Sequence, residues 1–152
     1  MYKIFSLIAL CAVLCTQNIY SQILERTDSK RLGIAGNIFV FDVKRYNILE
    51  GTTSSAVSLS YSRAGKIESA EFDKSEIPDL IKGIQGIIDF VNSKPETTST
   101  IRFSFKDIEF RTQIAARNTW EVFVFFGNST TFATQQSIGS LSEMIELLKK
   151  SS

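Results

Sequence analysis

Five carboxylates fall within one short stretch of the chain: Glu68, Glu71, Asp73, Glu76 and Asp79. Grouped oxygen ligands are the chemistry of a Ca²⁺ site. A facing pair of carboxyl groups, roughly 5–10 Å apart, is the chemistry of a glycosidase. The spacing here matches no EF-hand loop, and no glycine pivot lies among the five. A structural use competes with both. Asp73 and Glu76 stand three apart, as in a capping box, and negative charge in a first turn complements the helix dipole. The acidic patch Glu71, Asp73, Glu76 and Asp79 is therefore expected to start a helix, with a carboxylate-based hydrolase as the third-ranked functional reading.

The other candidate group is aromatic. Phe39 and Phe41 alternate along one strand-like segment, and Trp120, Phe123, Phe125 and Phe126 crowd another. On an open sheet face such residues would hold an apolar ligand or a protein partner. Under a pair of helices they would be core. Phe39, Phe41, Trp120, Phe123 and Phe125 form the candidate binding surface.

Composition closes off most other chemistry. The chain has no histidine, and its two cysteines, Cys11 and Cys15, lie in an apolar N-terminal run. Met1–Gln22 reads as a secretory signal: Lys3 supplies a basic start, and Ile4–Cys15 is too short to span a bilayer. The expected cut follows Ser21, leaving residues 22–152 as a single domain. Leu10 and Leu14 stand where a lipobox requires a small residue, so no lipid anchor is expected at either cysteine.

The mature chain then lacks histidine and cysteine, which excludes Ser-His-Asp and Cys-His catalysis and the usual zinc, haem and copper sites. No catalytic residue, metal site or cofactor is expected, and the protein reads as a non-enzyme. Of 17 basic side chains Lys3 leaves with the signal, so 16 face 16 acidic ones. That balance gives no footprint for nucleic acid or for anionic membranes. No second long apolar segment is present, so no membrane span is expected in the mature chain. Roughly 130 residues without disulfides must rely on a buried core, and a chain of that length can build one.

The elements that position these groups follow from periodicity. FDKSEIPDLIKGIQGIIDFV, residues 72–91, sets Ile77, Leu80, Ile81, Ile84, Ile87, Ile88 and Val91 on one helical face. Burying that stripe is worth on the order of 10 kcal/mol before chain entropy is counted. Pro78 suits a first turn, which predicts a loose turn over Asp73–Ile77 and a helix from Pro78 to about Asn92. Gly83 and Gly86 weaken that helix and read either as tolerated surface positions or as places of close approach.

Before the helix, Gln22–Leu32 reads as a loose arm or short strand, Ile34–Arg45 as a strand apolar on both sides, and Ala56–Arg63 as a half-exposed strand. Ala64-Gly65 turns the chain into Ile67–Phe72. After the polar connector Asn92–Ser99, strands are expected over Ile101–Lys106, Ile108–Thr112, Thr119–Phe126 and Ser129–Gln136. Turns are expected at Arg117-Asn118 and Gly127-Asn128. A terminal helix is expected from about Ser140 to Lys150, with Ser140 and Glu143 as its capping box.

The fold class is α+β: antiparallel sheets with two helices in the order β(3-4)-α-β(4)-α. Residues 33–92 and 100–150 can be read as half-repeats, since Phe72, Ile81, Ile84, Ile87 and Ile88 match Phe132, Leu141, Met144, Leu147 and Leu148 at an offset of 60. In element order this resembles the pseudo-duplicated Whirly and PUR-repeat architectures. Those folds often bind single strands, but the neutral charge and export signal argue against carrying that function over.

The segment FDKSEIPDLIKGIQGI also resembles the DYDEIPxLIKxL signature of a family of small exported bacterial proteins to which no activity is attached. Specific residues match only over Phe72–Ile84, and Lys74 and Ser75 depart from the acidic and aromatic character usual there. The resemblance implies a bacterial envelope protein, periplasmic or extracellular. Two functional expectations follow: a non-catalytic module that binds an envelope protein or itself, and a carrier holding a small apolar ligand between sheet and helix.

Overall fold

Alternating apolar residues and a two-residue turn at Gly36-Asn37 divide the first strand-like run into two strands. The computed structural model describes residues 24–93, 100–115, 119–127 and 132–151. Its strands are β1 (Glu25–Ala35), β2 (Ile38–Asn47), β3 (Thr52–Arg63), β4 (Lys66–Asp73), β5 (Arg102–Phe105), β6 (Ile108–Ile114), β7 (Trp120–Phe126) and β8 (Ala133–Gln136). Helix α1 (Ile77–Asn92) follows β4 through a 3₁₀ turn at Lys74–Glu76, and helix α2 (Ile138–Lys149) follows β8. The signal segment, most of the Asn92–Ser99 connector, the Arg117-Asn118 turn and Asn128 of the second hairpin turn lie outside the described residues. No helix among the described residues is long and apolar enough to cross a membrane.

The two sheets are antiparallel meanders, β1-β2-β3-β4 and β5-β6-β7-β8. Each is followed by one helix, so the chain is α+β in the order β4-α-β4-α. The segment read as a loose arm or short strand is an eleven-residue edge strand. It pairs with β2 from Glu25↔Asn47 to Ala35↔Ile38, with a bulge between Arg31 and Gly33. Its polar sequence concealed its length, because its first seven residues need bury almost nothing. The Asp73–Glu76 capping box forms, and the Asp73 amide donates to Glu76 Oε2 at 2.8 Å. The second helix starts earlier than expected. Its cap is Ser137, whose hydroxyl accepts from the Ser140 amide at 3.0 Å, so Ser140 lies inside the first turn.

The inner faces of both sheets share one core with the helices. Each helix packs chiefly against the other half's sheet: α1 lies on β5 and β6, α2 lies on β1 and β2, and the two helices touch each other. Aromatic contacts cross the same boundary. Tyr61 stacks on Phe126 at 6.1 Å and meets Phe132 edge-on at 5.3 Å, and Phe72 lies 5.8 Å from Phe105. A part-buried polar link joins the first hairpin to β8. Thr134 Oγ1 donates to Asn37 Oδ1 at 2.7 Å, and Gln136 Nε2 donates to both Asn37 and Thr134. A half on its own would therefore expose its apolar sheet face.

Two glycines mark where helix meets foreign sheet. A β-carbon on Gly33 of β1 would lie 2.7 Å from Leu147 Cδ2 of α2, and one on Gly83 of α1 would overlap the Phe103 ring of β5. Phe103 is itself stacked between Phe105 and Phe110, at 6.0 and 5.9 Å, so it has little freedom to yield. Gly86 has nothing within 4 Å. The two glycines of one helix should thus respond oppositely to alanine. In urea unfolding, Gly86→Ala should stabilise by about 0.5–1 kcal/mol. Gly83→Ala should destabilise by about 1–3 kcal/mol despite the same gain in helix propensity.

Candidate functional site

The period of two in β2 sends Ile38 and Val40 into the core and Phe39 and Phe41 to the outward face of the first sheet. There the two rings stack at 6.4 Å, and the Arg31 guanidinium sits 4.8 Å above the Phe39 ring. Cross-strand partners complete the surface. Ile34 and Ser60 flank Phe39, while Arg31 and Ser58 flank Phe41. The bulge between Arg31 and Gly33 lets Arg31 face outward while Gly33 still faces α2. Cation–π contacts of this kind hold a cation flat on the face while leaving ring edges accessible.

The second sheet repeats the device on a different strand. Phe123 and Phe125 of β7 face outward and are half-buried, with the Arg111 guanidinium 4.7 Å above the Phe125 ring. Glu109 fixes that arginine through Nε at 2.9 Å and Nη2 at 2.6 Å, and also accepts from Ser104 at 3.2 Å. Trp120 separates from these residues. It lies on the inner face of β7 and meets Phe90 of α1 edge-to-face at 5.0 Å. Phe126 is fully buried. The five candidate aromatic residues thus divide into two outward pairs on different sheets and one residue packed on a helix. The sequence pattern had Phe123 and Phe125 opposite Trp120, but it did not show that the outward pairs belong to separate sheets.

The acidic residues are likewise distributed. Glu71 faces outward on β4 and is bonded by Arg45, which also meets Glu25 at 3.3 Å. Asp73 and Glu76 frame the start of α1, and Lys106 from the β5–β6 turn bonds Glu76 and lies 3.9 Å from Asp73. Asp79 is exposed in the first turn of α1. Among the described residues no group of three or more His, Cys, Asp or Glu side chains converges as a metal site would require. The cations were the part that sequence reasoning missed. Lys106 carries a positive φ of 48°, unusual for a residue with a side chain, and no glycine in the Lys106-Asp107 turn announces the hairpin. An open hollow of about 350 Å³, lined by Glu25, Arg45, Asn47, Thr52, Thr53 and Ser54, lies at the far end of the first sheet.

The ion pairs brace the start of α1 and the outward face of β4. Carboxylates bonded to arginine or lysine are poor general acids, since the cation favours the ionised form. The hydrogen bond from Lys106, helped by the Asp73 amide, holds the Glu76 carboxyl below the usual carboxylate range, and Glu76 raises the Lys106 ammonium above its usual value. No protein-family model matches the chain, and no curated protein matches it.

The signs of the two shifts fix a pH dependence. The folded-state value of Glu76 is depressed, so its contribution is present above the unfolded-state value and is lost as pH falls through the folded one. The raised Lys106 contributes below its unfolded-state value and loses that contribution as pH climbs through its folded one. In an NMR titration Glu76 should titrate below a solvated glutamate, and Lys106→Gln should return it toward the solvated range. The same substitution should lessen the loss of urea resistance on acidification, because the unfolded chain binds no extra proton once the shift is gone.

Proposed function

We propose that the chain is a non-catalytic, exported module of a bacterial cell envelope that binds another envelope protein through an outward aromatic face. The observation that carries this reading is the pair Phe39 and Phe41, half-buried on a sheet face that neither helix of the described residues covers, with Arg31 laid over one ring. Aromatic residues with arginine are the residue types that dominate protein interfaces. The absence of histidine and cysteine after residue 21 and the ion-paired state of Glu71, Asp73 and Glu76 support a role without chemistry. Export rests on the Met1–Gln22 pattern, and the bacterial envelope on the resemblance of Phe72–Ile84. A carrier of apolar ligands would need room between sheet and helix, and at the Gly83–Phe103 approach there is none for a methyl group.

The test is an affinity capture of the tagged mature protein from its host's envelope, run beside a native mass spectrum. One stoichiometric protein partner is expected, lost on substituting Phe39→Thr with Phe41→Thr, changes that keep strand propensity. Capture unaffected both by that pair and by Phe123→Thr with Phe125→Thr would overturn the reading. A monomer carrying a small extra mass would favour the carrier.

A further inference from the structure

The first sheet does not end level. β4 stops at Asp73, opposite Ala56, while β1, β2 and β3 continue pairing as far as Glu25↔Asn47 and Asn47↔Thr52. Four residues of β3 thus run past the last partner on β4, a projection of about 13 Å. This three-stranded tongue is polar on its stem: Glu25, Arg26, Thr27, Thr52, Thr53 and Ser54 are all exposed. Its tip is aliphatic. Leu24 is 53% exposed, Ile48 55% and Leu49 58%.

The tip is built. The Ile48 amide donates to the Leu24 carbonyl at 2.8 Å, which sets those two residues opposite each other. Asn47 Oδ1 accepts from the Leu49 and Glu50 amides, both at 3.1 Å, and holds the turn that presents Leu49. Behind the tip stands Tyr46 with the Arg26 guanidinium 5.5 Å from its ring. Three exposed aliphatic side chains at the end of a polar stem contribute nothing to the core, so the fold does not account for them.

We propose that this tip dips into the surface of a lipid bilayer. It stands at the end of strands that project past β4, which leaves its side chains free to enter among lipid headgroups. An aliphatic point backed by tyrosine and arginine has the order of residue types found at membrane interfaces. The carboxylate of Glu50 in the same turn limits entry to headgroup depth. The chain's own connection points the same way. Residues 1–23 join the fold at Leu24, and the apolar run Ile4–Cys15 ends nine residues before it. That span is at most about 30 Å of extended chain. Whenever the run engages a bilayer, Leu24 is within that reach of the same surface. The remainder of the chain is near-neutral, so the attraction is apolar, and contact after removal of the run is weak and reversible.

The test sediments the chain from Gln22 onward, which retains every described residue, with vesicles of phosphatidylcholine and, separately, of phosphatidylethanolamine with phosphatidylglycerol. A bound fraction is expected on both, little changed by about 0.5 M salt because screening does not weaken apolar contact. Ile48→Ser with Leu49→Ser should lower the partition coefficient about tenfold or more. Both residues are exposed, so the urea midpoint should be kept. Absence of binding, or equal binding by both forms, overturns the proposal. So does self-association without vesicles that the double substitution abolishes, since it would assign the tip to a second copy.

Discussion

The structure depends on an exchange. Each four-stranded sheet buries its apolar face mainly beneath the helix that belongs to the other half. A sheet of this size, apolar on one side, cannot stand in water without a cover. Here the cover arrives only when the whole chain has been used. The closest approaches occur at Gly33 against Leu147 and Gly83 against Phe103, and both are positions where a side chain would hold the layers apart. The Asn37, Thr134 and Gln136 link fixes the relative placement of the halves with polar geometry that a purely apolar core would not specify.

The exchange also shapes what is left outside. The two helices occupy the inner faces, so among the described residues neither outward face has a helix on it, and each carries a phenylalanine pair with an arginine laid over one ring. The charged groups around the start of α1 serve the fold: the β5–β6 turn reaches across through Lys106 to the Asp73–Glu76 cap and ties the second sheet to the first helix. Backbone strain at Lys106 is consistent with that tie, because the turn geometry aims its ammonium at the cap. The outward aromatic faces and the structural charges are thus separated in this molecule.

Much of this was legible in the sequence. Period-two alternation marked β3, β6 and β7, and the stripe from Ile77 to Val91 marked α1 with its cap. The capping box at Asp73 was readable because its partners are three residues apart. What escaped were contacts between distant residues. Nothing local says that α1 lies on β5 instead of its own sheet, that Gly83 is required and Gly86 is not, or that Arg31 will lie on Phe39. β1 was legible only as a loose arm or short strand for another reason: an edge strand with charged residues on both faces carries no apolar period, and its pairing energy comes from backbone hydrogen bonds and from β2. The outward phenylalanines were visible as candidates, but their division between two sheets is a property of topology.

If the exchange of helices is the organising constraint, the halves must open together. Native-state hydrogen exchange on the whole chain measures this directly, by comparing the slowest amides of β2 and β3 with those of β6 and β7. The account predicts one shared free energy of opening for the central strands of both sheets, with the same dependence on denaturant. Central strands of one sheet exchanging through a separate, lower-energy opening while the other stays protected would contradict it, because a half that survives alone does not need the other's helix.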